Sequence, residues 1–131
     1  MTTAGKSAPR LSFHPHAYQF VRAALPYTQK KLGRMDAPQG TDAAHITGQE
    51  LCEGIRDLAL ENFGLLAKTV FQQWGVTCTE DFGRIVFELI ELGEMRKTER
   101  DQLSDFCHVF DFDEAFDRNY HVDVRKALRR V

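Results

Sequence analysis

The sequence predicts a mainly α domain: four to five helices, then a small C-terminal β-hairpin, in the order of a winged helix. Three observations lead there. Residues 47–94 carry apolar side chains at helical spacing in three successive runs. Each run closes at a glycine, Gly64, Gly75 or Gly93, the residue that best accepts the left-handed conformation ending a helix. Beyond Gly93 the pattern changes to two short strand-like groups, 95–97 and 106–110, separated by the polar stretch 98–105.

The elements follow in chain order. Residues 1–12 are small and polar with Pro9, and are expected to form an unstructured arm. Residues 13–117 are expected to form a single helical domain, and 118–131 a basic tail. A first helix spans 13–33, with Tyr18, Val21 and Leu25 as its stripe and Pro15 suited to the first turn. Pro26 falls in its interior, where a kink or break is expected. Residues 34–45 read as a linker containing Pro38 and Gly40.

Thr47 and Glu50 make a capping box for the next helix, whose apolar face is Leu51, Ile55 and Leu58. A short helix over 65–74 follows, with Leu66, Val70, Phe71 and Trp74 as its buried side. The next helix has two candidate caps, Thr77 and Thr79, and Phe82, Ile85, Val86, Leu89 and Ile90 as its core face. Two glycines, Gly54 and Gly83, lie inside these helices at about 1 kcal/mol each against alanine, which points to a close helix–helix crossing, with a closely approaching ligand or partner backbone as the alternative. Asp111 and Glu114 cap a final short helix anchored by Phe112 and Phe116.

Several strings resemble a small bacterial family of proteins without an assigned function: HITGQELCEGIRDLAL, FGLLAKTVFQQWGV, TEDFGRIVFELIELG, DFCHVFDFDEAF and AYQFVRAAL. The likeness spans roughly 13–117 in ordered blocks. It implies a compact cytosolic domain and no particular activity. The chain departs from the family's usual pattern at His14, His16 and Pro26.

Charge is unevenly spread. Residues 1–46 hold six Lys/Arg against two Asp/Glu, a net +4; residues 47–94 hold three against nine, a net −6. In a winged helix, residues 79–94 would be the recognition helix and 97–105 the wing, yet that helix carries Glu80, Asp81, Glu88, Glu91 and Glu94 against Arg84 and would repel phosphates. There is no apolar run of membrane-spanning length and no signal-peptide pattern. Three scattered cysteines do not make a disulfide framework. A cytoplasmic location is the expectation, with no membrane partner.

Chemistry is sparsely signalled. The five histidines show no metal-ligand spacing, and on a strand Cys107 and His108 would point to opposite faces, so no metal site and no cofactor are expected. Cys52 reads as a core thiol. Cys78 lies just before a helix N-terminus, where a thiol pKa can be lowered. The acids Asp105, Asp111, Asp113 and Glu114 lack EF-hand spacing, and no glycine-rich phosphate loop occurs. No catalytic residue is assigned.

The preferred function is a cytosolic, non-enzymatic protein-interaction module, a regulatory or assembly factor, with an unidentified protein partner or a second copy of itself. Leu60 and Phe87, which point away from their helices' main stripes, and Phe112 and Phe116 are the candidate partner contacts. The first alternative is a winged-helix-like nucleic-acid binder using Lys30, Lys31, Arg34, Arg125, Lys126, Arg129 and Arg130, with weak and non-specific affinity. The second is an enzyme or metal protein whose site has no recognisable motif.

Overall fold

The computed structural model describes residues 11–38 and 42–118. Four α-helices form its frame: α1 Pro15–Lys31, α2 Gly48–Phe63, α3 Ala67–Gln73 and α4 Thr79–Glu91. Short 3₁₀ turns at Asp42–Ala44, Gly64–Leu66 and Leu103–Phe106, and a π turn at Glu114–Arg118, complete it. Helix α1 packs on α2 and α4, and the segment after α4 folds back across α4 and α2.

Helix α1 begins at Pro15, with the backbone N–H of His16 donating to Nδ1 of the capping His14 at 3.1 Å. It runs unbroken through Pro26, contrary to the expected break. Pro26 and Arg22 are both exposed, so the Arg22 carbonyl deprived of its helical donor can turn to water. Ala17, Tyr18, Val21 and Ala24 face the core.

Helix α2 opens with the expected capping box: the Glu50 N–H donates to Thr47 Oγ1 at 3.1 Å and the Thr47 N–H to a Glu50 carboxylate oxygen at 3.0 Å. Gly64, Gly75 and Gly93 all have positive φ, as a glycine ending a helix should. Leu65 and Leu66 lie in the 3₁₀ turn and are exposed, so the buried side of the second run comes from Ala67 and Phe71, with Val70 and Trp74 half-buried. Phe20, Phe63, Phe71 and Trp74 pack as an aromatic cluster with centroid separations of 5.5–5.9 Å.

The N-cap of α4 is Cys78, with neither Thr77 nor Thr79 in that role. Asp81 instead reaches back to accept from the Thr77 N–H at 2.9 Å. The Thr79 hydroxyl, which is buried, has a different task. It donates to the Phe106 carbonyl at 2.6 Å and accepts from the Val109 N–H at 3.2 Å, fastening the 106–109 turn to the start of α4.

No β-strand occurs among the described residues, so the C-terminal hairpin and the winged-helix reading are both corrected. Three local features explain why. Gln102 and Asp105 cap each other and wind Leu103–Phe106 into a 3₁₀ turn. His108 takes φ +46°, a left-handed conformation that interrupts any extended run. The phenylalanines that looked like strand residues are instead spent on the core: Phe106 is 4 % exposed, and Phe110 stacks on Phe112 at 5.7 Å.

The interior glycines have a clear cause. A Cβ on Gly54 would sit 2.9 Å from the Thr28 Cβ of α1, which fixes the close crossing of α1 and α2. A Cβ on Gly83 would sit 2.8 Å from Phe106 Cγ, and one on Gly48 would sit 3.0 Å from Phe106 Cε2. The Phe106 ring is therefore wedged between two bare backbones, and the C-terminal segment packs where a helix–helix crossing was the simpler expectation.

Candidate functional site

Two constellations stand out. The first is a groove of about 530 Å³. Its floor is apolar: Leu25 of α1, Leu51 of α2, Val86, Phe87 and Ile90 of α4, and Phe106. Its walls are the 44–48 segment and the chain from Gly93 to Asp105. The volume lies within the range of ligand-binding clefts.

The rim is polar, and most of its charges are already engaged. His45 Nε2 lies 2.9 Å from an Asp101 carboxylate oxygen, and the other Asp101 oxygen accepts from the Thr98 N–H at 2.8 Å. Asp105 accepts from the Gln102 N–H, and Glu94 is paired with Arg22. Arg96 and Lys97 are exposed at this rim and have no hydrogen bond or ion pair among the described residues. The uncommitted charge of the rim is thus cationic, although the central helices are acidic.

The second constellation lies at the start of α4, where donor atoms of Glu80, Cys107 and His108 all fall within 4.8 Å of one another. His108 Nε2 is 4.0 Å from a Glu80 oxygen. The backbone N–H groups of Glu80 and His108 and the Cys78 and Cys107 thiols lie near the Glu80 carboxylate. These contacts hold Glu80 below the usual carboxylate range, with its own N–H the largest cause.

The thiols behave in the opposite sense. Burial pushes Cys78 up, and the carboxylates of Asp81 and Glu80 add to the shift; the expected lowering at a helix N-terminus is outweighed. Cys107 is raised chiefly by its hydrogen bond to Glu80. Cys52 is fully buried, and burial pushes its thiol far up, which makes it an inert core residue.

No protein-family model, curated protein or solved structure matches this chain. The resemblance to a bacterial family drawn from the sequence strings therefore gains nothing from these comparisons, and function has to be argued from the two constellations.

The residues singled out from the sequence are dispersed. Phe87 lines the groove, half-buried and edge-on to Phe106 at 6.5 Å. Leu60 is half-buried against the core. Phe112 and Phe116 are 6 % and 0 % exposed and serve as core anchors, so neither offers a surface to a partner. Lys31 is paired with Asp57 at 2.7 Å and Arg34 with Glu50 at 2.7 Å, which spends two of the proposed phosphate contacts on α2. Lys30 is exposed. Arg125, Lys126, Arg129 and Arg130 lie outside the described residues.

Sequence reasoning missed the Glu80–Cys107–His108 cluster for an identifiable reason. A strand would send neighbouring side chains to opposite faces. The left-handed residue His108 breaks that alternation, and Thr79 draws the turn onto α4. The available signal was the pair of short strings Cys78-Thr-Glu80 and Cys107-His108, each holding two ligand types.

Proposed function

We propose that this domain is a non-enzymatic peptide-binding module that takes an apolar, acidic segment of a partner protein in the groove between α1, α4 and the 93–106 segment. The observation that carries the reading is the combination of an apolar floor with a rim whose free charges, Arg96 and Lys97, are both cationic. Apolar side chains would seat on Phe87, Ile90 and Leu25, and acidic flanks would meet the two cations. Such a division of labour is common at interfaces, where buried apolar anchors supply affinity and rim charges set partner choice. The central acidic helices are consistent with a protein partner rather than nucleic acid.

The test is a peptide-display selection against the full chain, followed by titration of the enriched peptides. The selected sequences should combine apolar anchors with Asp or Glu. The double charge reversal Arg96→Glu/Lys97→Glu should weaken them about tenfold or more, since both side chains are exposed and the fold should not notice. Selection of basic peptides, or affinity indifferent to the reversal, would overturn the assignment.

A further inference from the structure

We propose that Glu80, Cys107 and His108 form a binding site for a zinc ion that staples the 106–109 turn to the N-terminus of α4. The site is separate from the groove. Three donor types from two distant parts of the chain converge within 4.8 Å: a carboxylate oxygen of Glu80, the Cys107 sulfur and a ring nitrogen of His108.

The donor set selects the metal. A sulfur, an imidazole and a carboxylate oxygen suit zinc, whereas magnesium and calcium take oxygen ligands almost exclusively. With zinc–sulfur bonds of about 2.3 Å and zinc–nitrogen or –oxygen bonds of about 2.0 Å, a tetrahedral shell places neighbouring donors about 3.3–3.8 Å apart. Closing from the present spacing asks for movements of the order of 1 Å. The side chains that must move are cheap to move, because Cys107 and the His108 ring are exposed; the His108 side chain is 91 % accessible.

The support around the donors is already in place. Thr79 holds the turn on α4 by two hydrogen bonds. Such outer contacts fix the donors of known metal sites. Three protein donors leave the fourth tetrahedral position to water.

The experiment is a zinc titration of the reduced full chain in competition with a chromophoric chelator, paired with cobalt substitution. One equivalent of zinc should bind. Cobalt should give tetrahedral visible bands and a near-ultraviolet thiolate-to-cobalt band of one-thiolate intensity. Cys107→Ser and His108→Asn should each lower zinc affinity about tenfold or more with an unchanged circular dichroism spectrum. Cys107→Ser should abolish the thiolate band, and Cys52→Ser should leave it unchanged. Removing His14, His16 and His121 together should leave binding intact. Absence of stoichiometric zinc, binding that survives a Cys107→Ser/His108→Asn double variant, or a cobalt spectrum without a thiolate band would each overturn the site.

Discussion

Gly83→Ala tests the central packing feature of the fold, the Phe106 ring held between Gly83 and Gly48. In most exposed helices this change would stabilise by about 1 kcal/mol, because alanine is the better helix former. Here the new Cβ would lie 2.8 Å from Phe106 Cγ and 2.9 Å from its Cβ and Cδ2. Those atoms are the rigid root of the side chain, not a flexible end. The ring cannot simply retreat, since the Gly48 backbone stands behind it and Thr79 holds the Phe106 carbonyl. Overpacking of this kind costs about 1–3 kcal/mol, and the upper half of that range applies where both sides are closed. After the helix-propensity gain is subtracted, the net loss is about 1–2 kcal/mol, a fall in midpoint of the order of 4–8 °C. Urea unfolding of Gly83→Ala, Phe106→Ala and the double variant measures it. In the Phe106→Ala background two of the three close atoms are gone, so the penalty should shrink by about 1 kcal/mol or more. A Gly83→Ala protein as stable as the parent, or a penalty unchanged by Phe106→Ala, would refute the wedge. Gly83→Leu should cost more than Gly83→Ala for the same reason.

Two further outcomes follow from named contacts. Gly54→Ala should destabilise through its collision with Thr28, and Thr28→Ala should recover part of the loss in thermal unfolding, even though it forfeits the Thr28 hydrogen bond to the Ala24 carbonyl. Tyr18, buried and donating to Glu88 at 2.5 Å, has its pKa raised from 10 to about 12, first by burial and then by that bond; its contribution is complete below pH 10 and is lost between pH 10 and 12, so Tyr18→Phe should remove stability below that window and flatten the pH profile within it, as read by urea midpoints at successive pH values.

The helical frame was legible because local and long-range signals agree in it. Thr47 and Glu50 cap α2 as their spacing predicts, and Gly64, Gly75 and Gly93 end their runs with positive φ. The C-terminal segment was not legible, because its residue types fit two structures. Phe106, Val109 and Phe110 are good strand formers. Their real partners, Gly83, Thr79 and Phe82, lie some thirty residues away, and nothing local announces them. The same gap hid the site. Ligand spacing is a rule about nearby residues, while Glu80 and His108 are brought together by tertiary packing alone. Surface placement is a different matter: from sequence Phe112 and Phe116 fit inward anchors as well as partner contacts, and burial depends on what packs over them.

Phe106 links both constellations, and this has a physical consequence. Its ring forms part of the groove floor, its carbonyl takes the Thr79 hydroxyl, and the next two residues are Cys107 and His108. A metal held by Glu80, Cys107 and His108 would bind the folded turn and not the unfolded chain, so it would stabilise the groove wall by mass action without touching the groove itself. The 106–109 turn is otherwise held by few hydrogen bonds: the Thr79 hydroxyl supplies two, and the Cys107 N–H donates to the Ser104 carbonyl. Segments with so few ties exchange their amide protons through local opening rather than global unfolding. Zinc should therefore slow amide exchange at Cys107, His108 and Val109 far more than in the interior of α1. Equal protection throughout the chain would mean that the turn already opens only when the whole domain does. In that case the wedge of Phe106 between Gly48 and Gly83, rather than any ion, would be what holds the C-terminal segment in place.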